Sequence, residues 1–225
     1  MHDVYLKQLQ KLPLFVGIKK NDIDSMLACL GSYVRSYKKG ELIFLAGETV
    51  KHIGIILSGS VSMIKEDIWG TQTLIAFMKT GEVFGETFAC GNLFDSNVTF
   101  SVSADCKILF LPFYKIIHSC NMSCTFHHRL IENMVRLISS KNIQLIEKIE
   151  VTSKKTLREK ILTYLLIQAK KQGCEYFDIP LGRLELAAYL CADRSALTRE
   201  LSQMRSEGLL DFEKNTFHLL ELNNR

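Results

Sequence analysis

The sequence is short of several things at once, and each shortage removes a class of protein. Only 3 of its 225 residues are proline and 13 are glycine, which excludes collagen-like and proline-rich disordered chains. No uninterrupted apolar run reaches the roughly 18 residues that a membrane-spanning helix requires. The opening stretch MHDVYLKQLQKLPLFVGIKK mixes charged and apolar residues and lacks the continuous apolar core of a signal peptide, so a soluble, cytoplasmic protein without a membrane partner is expected. The seven cysteines, Cys29, Cys90, Cys106, Cys120, Cys124, Cys174 and Cys191, are odd in number, scattered and without a CxxC pair. A disulfide scaffold or a zinc ribbon is therefore not expected. Also missing are a P-loop and any nucleophile set in a recognisable elbow, so the chain does not read as an enzyme.

Charge of either sign is also modest. A net +4 and a pI near 8.6 permit a nucleic-acid partner without demanding one. What the chain does have is apolar material: 47% hydrophobic and 23% charged residues, enough for one medium and one small core.

The periodicity changes along the chain, and each change marks a part. From about Val4 to Leu30 apolar residues recur at three and four, with Pro13 between, which predicts two short helices. From Tyr33 to Phe113 short apolar runs (ELIFLAG, HIGIILSGSVSMI, TLIAFM, VTFSV, CKILFLP) alternate with glycines, the pattern of strands and tight turns in a barrel or roll. From Phe113 to about Val151 no glycine or proline occurs and one long helix is predicted. One seam on it steps four, three, four, three, four: Ile131, Val135, Ile138, Asn142, Leu145, Ile149. Such alternation is the heptad signature of a two-stranded coiled coil, where a single seam asparagine fixes register. A second apolar face, Leu130, Met134 and Leu137, would pack on the helix's own domain. The resulting division is residues 1–112, 113–150 and 151–225.

Beyond the long helix, Thr156 to Lys171 reads as an amphipathic helix ended by Gln172-Gly173. Residues 180–204 then have the layout of a helix-turn-helix. Leu184, Ala187, Ala188 and Leu190 are read as the buried side of its first helix, and Asp193 as the N-cap of its second. In that second helix Leu197, Leu201 and Met204 share a face, leaving Arg194, Ser195, Thr198, Arg199 and Ser202 outward, a short polar set suited to the major groove. Arg183 joins these as a DNA contact. The residues after Gly208 form a plausible wing with Lys214 at its tip, a phosphate contact rather than a base reader. From Glu150 onward 12 Lys and Arg face 11 Asp and Glu, so any DNA binding depends on where charges sit and not on their sum.

Two segments, Thr80-Gly81-Glu82-Val83-Phe84-Gly85-Glu86 and Leu186 to Gly208, make the chain resemble the Crp/Fnr superfamily of transcription regulators. The resemblance implies an α+β fold: an antiparallel β-roll of the cyclic-nucleotide-binding type (a double-stranded β-helix), a long dimerisation helix and a C-terminal winged helix-turn-helix. It implies a homodimer placing two recognition helices in successive major grooves of operator DNA, about 34–36 Å apart. Arg194 and Arg199 are then similar to the family's base- and phosphate-contacting arginines, while Ser195 stands where the cyclic-AMP-binding branch has a base-reading glutamate. RNA polymerase and a small-molecule effector are the further partners it implies.

In the same resemblance Gly81 to Cys90 looks like a phosphate-binding cassette, with Glu86 matching the glutamate that bonds a ribose hydroxyl. The effector pocket would be lined by Phe84, Gly85, Glu86, Phe88, Cys90, Asn97 and Thr99. The family's Arg-Ser or Arg-Thr pair is missing, since residues 93–99 contain no arginine. Cyclic AMP is therefore not expected as the effector, and no cofactor is expected. Cys120, Cys124, His127 and His128 could share a helical side, but four ligands crowded on one helix do not readily surround a tetrahedral ion. Iron-sulfur members of the family carry several N-terminal cysteines, whereas this chain has only Cys29 in its first 80 residues. The rival reading is a nucleotide-binding-like module that regulates a partner protein instead of DNA.

Overall fold

The computed structural model describes residues 2–91, 95–118 and 125–220. The chain forms two compact units, Met1–Ser139 and Ser140–Arg225.

In the first unit, helix α1 (His2–Leu9), a 3-10 turn (Pro13–Phe15) and helix α2 (Lys20–Leu30) precede the sheet. Leu6, Leu9, Ile23, Met26, Leu27 and Leu30 are buried, the expected inward positions of amphipathic helices. Strands β1 (Tyr33–Tyr37), β2 (Leu42–Phe44), β3 (His52–Glu66), β4 (Gln72–Lys79), β5 (Val83–Phe84) and β6 (Thr99–Pro112) make one antiparallel sheet. Its order is β1-β6-β3-β4, with β2 also on β6 and β5 also on β3. The two runs VTFSV and CKILFLP are one strand, β6, which pairs with nearly the whole of β3. Three register shifts between Ile56 and Val61 let this long pair bend, as bulges do. β1 and β5 were not among the apolar runs read from the sequence.

Two glycines permit the closure. At Gly54 a Cβ would overlap the ring of Phe84, and at Gly59, whose φ is +84°, it would overlap the Asp105 carbonyl. Only glycine lets a ring and a neighbouring backbone approach so closely. The sheet interior is then filled by Tyr37, Ile56, Val61, Phe84, Val98, Phe100, Val102, Cys106, Ile108 and Phe110.

A single helical turn, Glu86–Ala89, lies between β5 and β6, and after β6 come a short helix α3 (Phe113–Ile117) and the long helix α4 (Thr125–Thr152). The single helix expected from Phe113 is thus interrupted. His118 has extended backbone, with φ −96° and ψ 99°, which no helix can continue through. The absence of glycine and proline did not guarantee continuity. On α4, Leu130 and Met134 are buried and Leu137 packs beside them against the first unit's core, as expected of the second face.

The second unit holds α5 (Leu157–Gln172), β7 (Tyr176–Asp178), α6 (Arg183–Tyr189), α7 (Arg194–Ser206), β8 (Leu210–Glu213) and β9 (Thr216–Leu219). α5 begins with a capping box, in which Thr156 accepts from the Glu159 N–H and Glu159 accepts from the Thr156 N–H. It ends at Gly173 in the left-handed conformation, as the sequence indicates. β7 was missed: it is three residues long, and it adds to the hairpin in the order β7-β9-β8. One core, with Ile161, Leu165, Phe177, Leu186, Leu197, Leu201, Met204, Leu210 and Phe217, unites these elements.

Candidate functional site

The helix-turn-helix consists of α6, a turn at Cys191 with φ +52°, and α7. Leu197, Leu201 and Met204 are fully buried, and Arg194, Ser195, Thr198, Arg199 and Ser202 are exposed. One helix thus seats its apolar face and turns a continuous polar face to solvent. Thr198 and Ser202 donate to the carbonyls four residues earlier, which holds their hydroxyls close to the helix and leaves the two arginines the longest reach. Neither Arg194 nor Arg199 makes an ion pair among the described residues. Asp193 has the extended N-cap backbone but makes no side-chain cap bond. The expected carboxylate cap is not formed.

The first helix needs a larger correction. Leu184 is 70% exposed, Ala188 is exposed, and the buried side is Leu186, Ala187 and Leu190. The phase is set by the helix start, where Glu185 accepts from the Gly182 N–H. Position 184 then lies about 200° around the helix from position 186.

An ion cluster that the sequence did not disclose ties α5 to α7. Arg158 donates from Nε to Glu200 at 2.6 Å, and from Nη1 and Nη2 to Glu207 at 2.6 and 3.0 Å. These bonds hold the Glu207 carboxyl below its ordinary range and raise the Arg158 guanidinium further. Glu200 on α7 and Glu207 at its C-cap are thereby both bonded to one cation, while the arginines near the helix N-terminus are left open. Nothing in the spacing of 158, 200 and 207 announces this, because the partners are distant in sequence.

The wing is β8, the turn at Lys214 and Asn215, and β9. Lys214 is exposed at the tip with φ +51°. Arg183 packs its guanidinium over Phe212 and Phe217, 4.7 and 5.1 Å from the ring centroids. Burial there lowers its pKa. It opens α6 and lies on the rings of the wing, whereas the outward set is on α7.

At the sensing end Phe84, Phe88, Phe44, Phe100 and Phe110 meet inside the roll. Phe84 and Phe100 have centroids 5.3 Å apart, and Phe44 lies about 6 Å from each of Phe84, Phe100 and Phe110. Gly85 is left-handed, with φ +79°, and Glu86 is buried. Cys90 is half-buried; burial first, then the Glu86 charge, pushes its thiol up to about 11. Asn97 is exposed, and Thr99 accepts a bond from the Ala46 N–H at 3.2 Å. Leu93 and Phe94 lie outside the described residues.

Of the seam residues, Ile131 is half-buried against the first unit's core, whereas Val135, Ile138, Asn142, Leu145 and Ile149 are exposed. Ile143 and Ile146 are exposed as well, so the uncovered apolar surface is wider than the seam. Asn133, which no pattern singled out, is buried and donates to the Leu14 and Val16 carbonyls. Cys120 and Cys124 fall outside the described residues. Burial, then the His128 charge, lowers the pKa of His127, and no metal-holding cluster of three or more His, Cys, Asp or Glu occurs among the described residues. None of the described helices is long and apolar enough to cross a membrane.

The geometry defines a winged helix-turn-helix DNA-binding protein with a β-roll sensor-type domain. Comparison with known proteins agrees. Residues 34–119 match the cyclic nucleotide-binding domain and residues 159–224 the Crp-like helix-turn-helix domain. The chain is 24% identical to the cyclic AMP receptor protein of Thermus thermophilus, with 93% of each chain covered. It is 23% identical to the transcriptional activator protein FnrL of Cereibacter sphaeroides, covering 80% of this chain and 73% of the relative. In fold it is similar to the c-di-GMP responsive global regulator CLP of Xanthomonas campestris, with TM-score 0.57, 19% identity, and 89% and 99% of the two chains covered. The chain belongs to the Crp/Fnr superfamily of transcription regulators.

Proposed function

We propose that this regulator acts as a homodimer that reads a two-fold operator through α7, and that its roll does not answer to cyclic AMP. The observation that carries the DNA reading is the exposed, ion-pair-free pair Arg194 and Arg199 on a helix whose opposite face is fully buried. A rigidly seated helix with unspent guanidiniums suits bidentate contact with guanine edges and salt links to phosphates. Ser195, Thr198 and Ser202 supply the shorter contacts, and Lys214 a phosphate contact from the wing. Pairing through the exposed row Val135, Ile138, Leu145 and Ile149 would cover apolar surface that a lone chain leaves in water. RNA polymerase is the expected downstream partner.

The effector reading rests on charge and space. No Lys or Arg occurs between Thr80 and Cys106, while Glu82, Glu86, Asp95 and Asp105 do. A cyclic phosphate entering the roll would lose water without gaining a cation from this stretch. The ring cluster also occupies the interior against which a purine would pack.

Selection of binding sites from random duplexes, followed by gel shifts across a salt series, tests the DNA reading. Enrichment of a palindrome with half-sites one helical turn apart is expected. Salt-insensitive or absent binding would favour a module that acts on a partner protein.

A further inference from the structure

Outside the roll, between the N-terminal helices and the sheet, lies a cleft of about 710 Å³. That volume is within the range of small-molecule sites, roughly 300–1,000 Å³. Behind the cleft lie buried leucines, Leu6 and Leu9 from α1, Leu27 from α2, Leu57 from β3 and Leu109 from β6, and the hydroxyls of Ser32 and Ser36 join the lining. Lys107 is the one cation in the lining, and it is half-buried. Its ammonium donates to the Tyr5 hydroxyl at 3.2 Å and lies 5.9 Å over that ring. Among the described residues it has no carboxylate partner. A half-buried cation with only a neutral partner, at the edge of an apolar cleft, is satisfied best by an anion carrying an apolar body. Asp24, exposed on α2, is the acid of the lining. It disfavours a second negative charge on the ligand.

We propose that this cleft is the effector site, and that it takes an apolar monocarboxylate of the medium-chain fatty-acid type. The carboxylate would lie on Lys107 and the Tyr5 hydroxyl, and the chain along the five leucines. This deepens the reading of the protein as an effector-sensing regulator and rests on it. The stretch from Thr80 to Cys106 carries no Lys or Arg, whereas the cleft on the outer side of the sheet holds Lys107 of β6. The cleft also has a route to the dimer helix. Leu6, Leu9, Leu27, Leu57 and Leu109 belong to the same core cluster as Leu130 and Met134 of α4, so a ligand that wedges these leucines apart bears on the seat of α4.

The test uses the full chain, with decanoate and 1-decanol as probes in calorimetry and gel shifts on a selected operator as a separate readout. Decanoate is expected to bind saturably, once per protomer, and to change operator affinity at least about threefold. Lys107→Met should weaken decanoate by about tenfold or more and leave decanol unchanged. Ala28→Trp, at an exposed lining position on α2, should fill the cleft and abolish both, with thermal melts showing that each variant still folds. Decanoate binding that is absent, that occurs at many weak sites, or that is unaltered in both variants would overturn the proposal. Saturable binding with no effect on the operator complex would remove the effector role. If DNA binding persists while decanoate fails, only the cleft assignment falls; if decanoate binds and DNA does not, the DNA reading falls instead.

Discussion

The two ends of this chain use the same economy of charge in opposite ways. Glu200 on α7 and Glu207 at its C-cap are tied to Arg158 while Arg194 and Arg199 stay open, so the N-terminal half of the helix presents positive charge to solvent. In the roll from Thr80 to Cys106 there are acids and no cation at all, and the interior is packed with aromatic and β-branched side chains. The helix-turn-helix end thus carries open arginines on its exposed helix face. The cation missing from the roll carries the proposal that the sensing end does not answer to cyclic AMP, since a cyclic phosphate needs a charge partner when it leaves water.

The strongest way to break that comparison is at the helix that follows the roll. Replacing Ile138 and Leu145 together with aspartate would set like charges against each other across a dimer axis, at a cost of roughly several kcal/mol. Sedimentation should then show monomer, and an unchanged dimer would remove the seam. Restoring the missing cation is the next largest effect. The unaltered protein should bind cyclic AMP only toward the millimolar range, because losing one charge-assisted bidentate partner costs about 2–4 kcal/mol. Calorimetry beside an Asn97→Arg variant measures this, and micromolar binding by the unaltered chain would show that a cation from elsewhere reaches the roll.

At the other end, Arg199→Ala should cost about 1–3 kcal/mol and relax preference at one base step, if the guanidinium meets a guanine edge. A uniform loss on all sequences would make it a phosphate contact instead. Lys214→Ala should weaken every sequence alike and reduce the salt slope by about one. The smallest effect concerns the thiol beside Glu86. With its pKa raised to about 11, Cys90 is protonated at neutral pH, and at pH 8 only about one molecule in a thousand carries the reactive thiolate. Alkylation at that pH should label exposed Cys29, Cys174 and Cys191 well before Cys90, accelerating as pH rises toward 11. Equal rates at all four would show that the pocket wall opens to solvent.

Much of this was legible beforehand, wherever one residue's neighbours along the chain decide its state. Helix α5 declared itself through Thr156, Glu159 and Gly173, because capping is local. The inward face of α7 and the outward arginines followed from spacing alone, and so did the exposed row on α4. Leu184 was misread because the phase of a two-turn helix depends on where it starts, and that was settled by a side-chain bond from Glu185. β7 escaped notice because three residues carry too little pattern, and the strand exists only by pairing with β9.

The sequence by itself determined the order of parts, the polar reading face of α7, the apolar row on α4 and the lack of a phosphate-binding arginine, since each is a statement about residue types at fixed intervals. Only the tertiary structure decided that Arg158 would pair with both Glu200 and Glu207, that Arg183 would lie on the wing's rings, that five phenylalanines would meet inside the roll, and that Lys107 would be left beside Tyr5 at the edge of a cleft. Those depend on groups as much as 102 residues apart meeting in space. Charge pairing, ring packing and cavity shape act through distance in three dimensions, for which no local period exists.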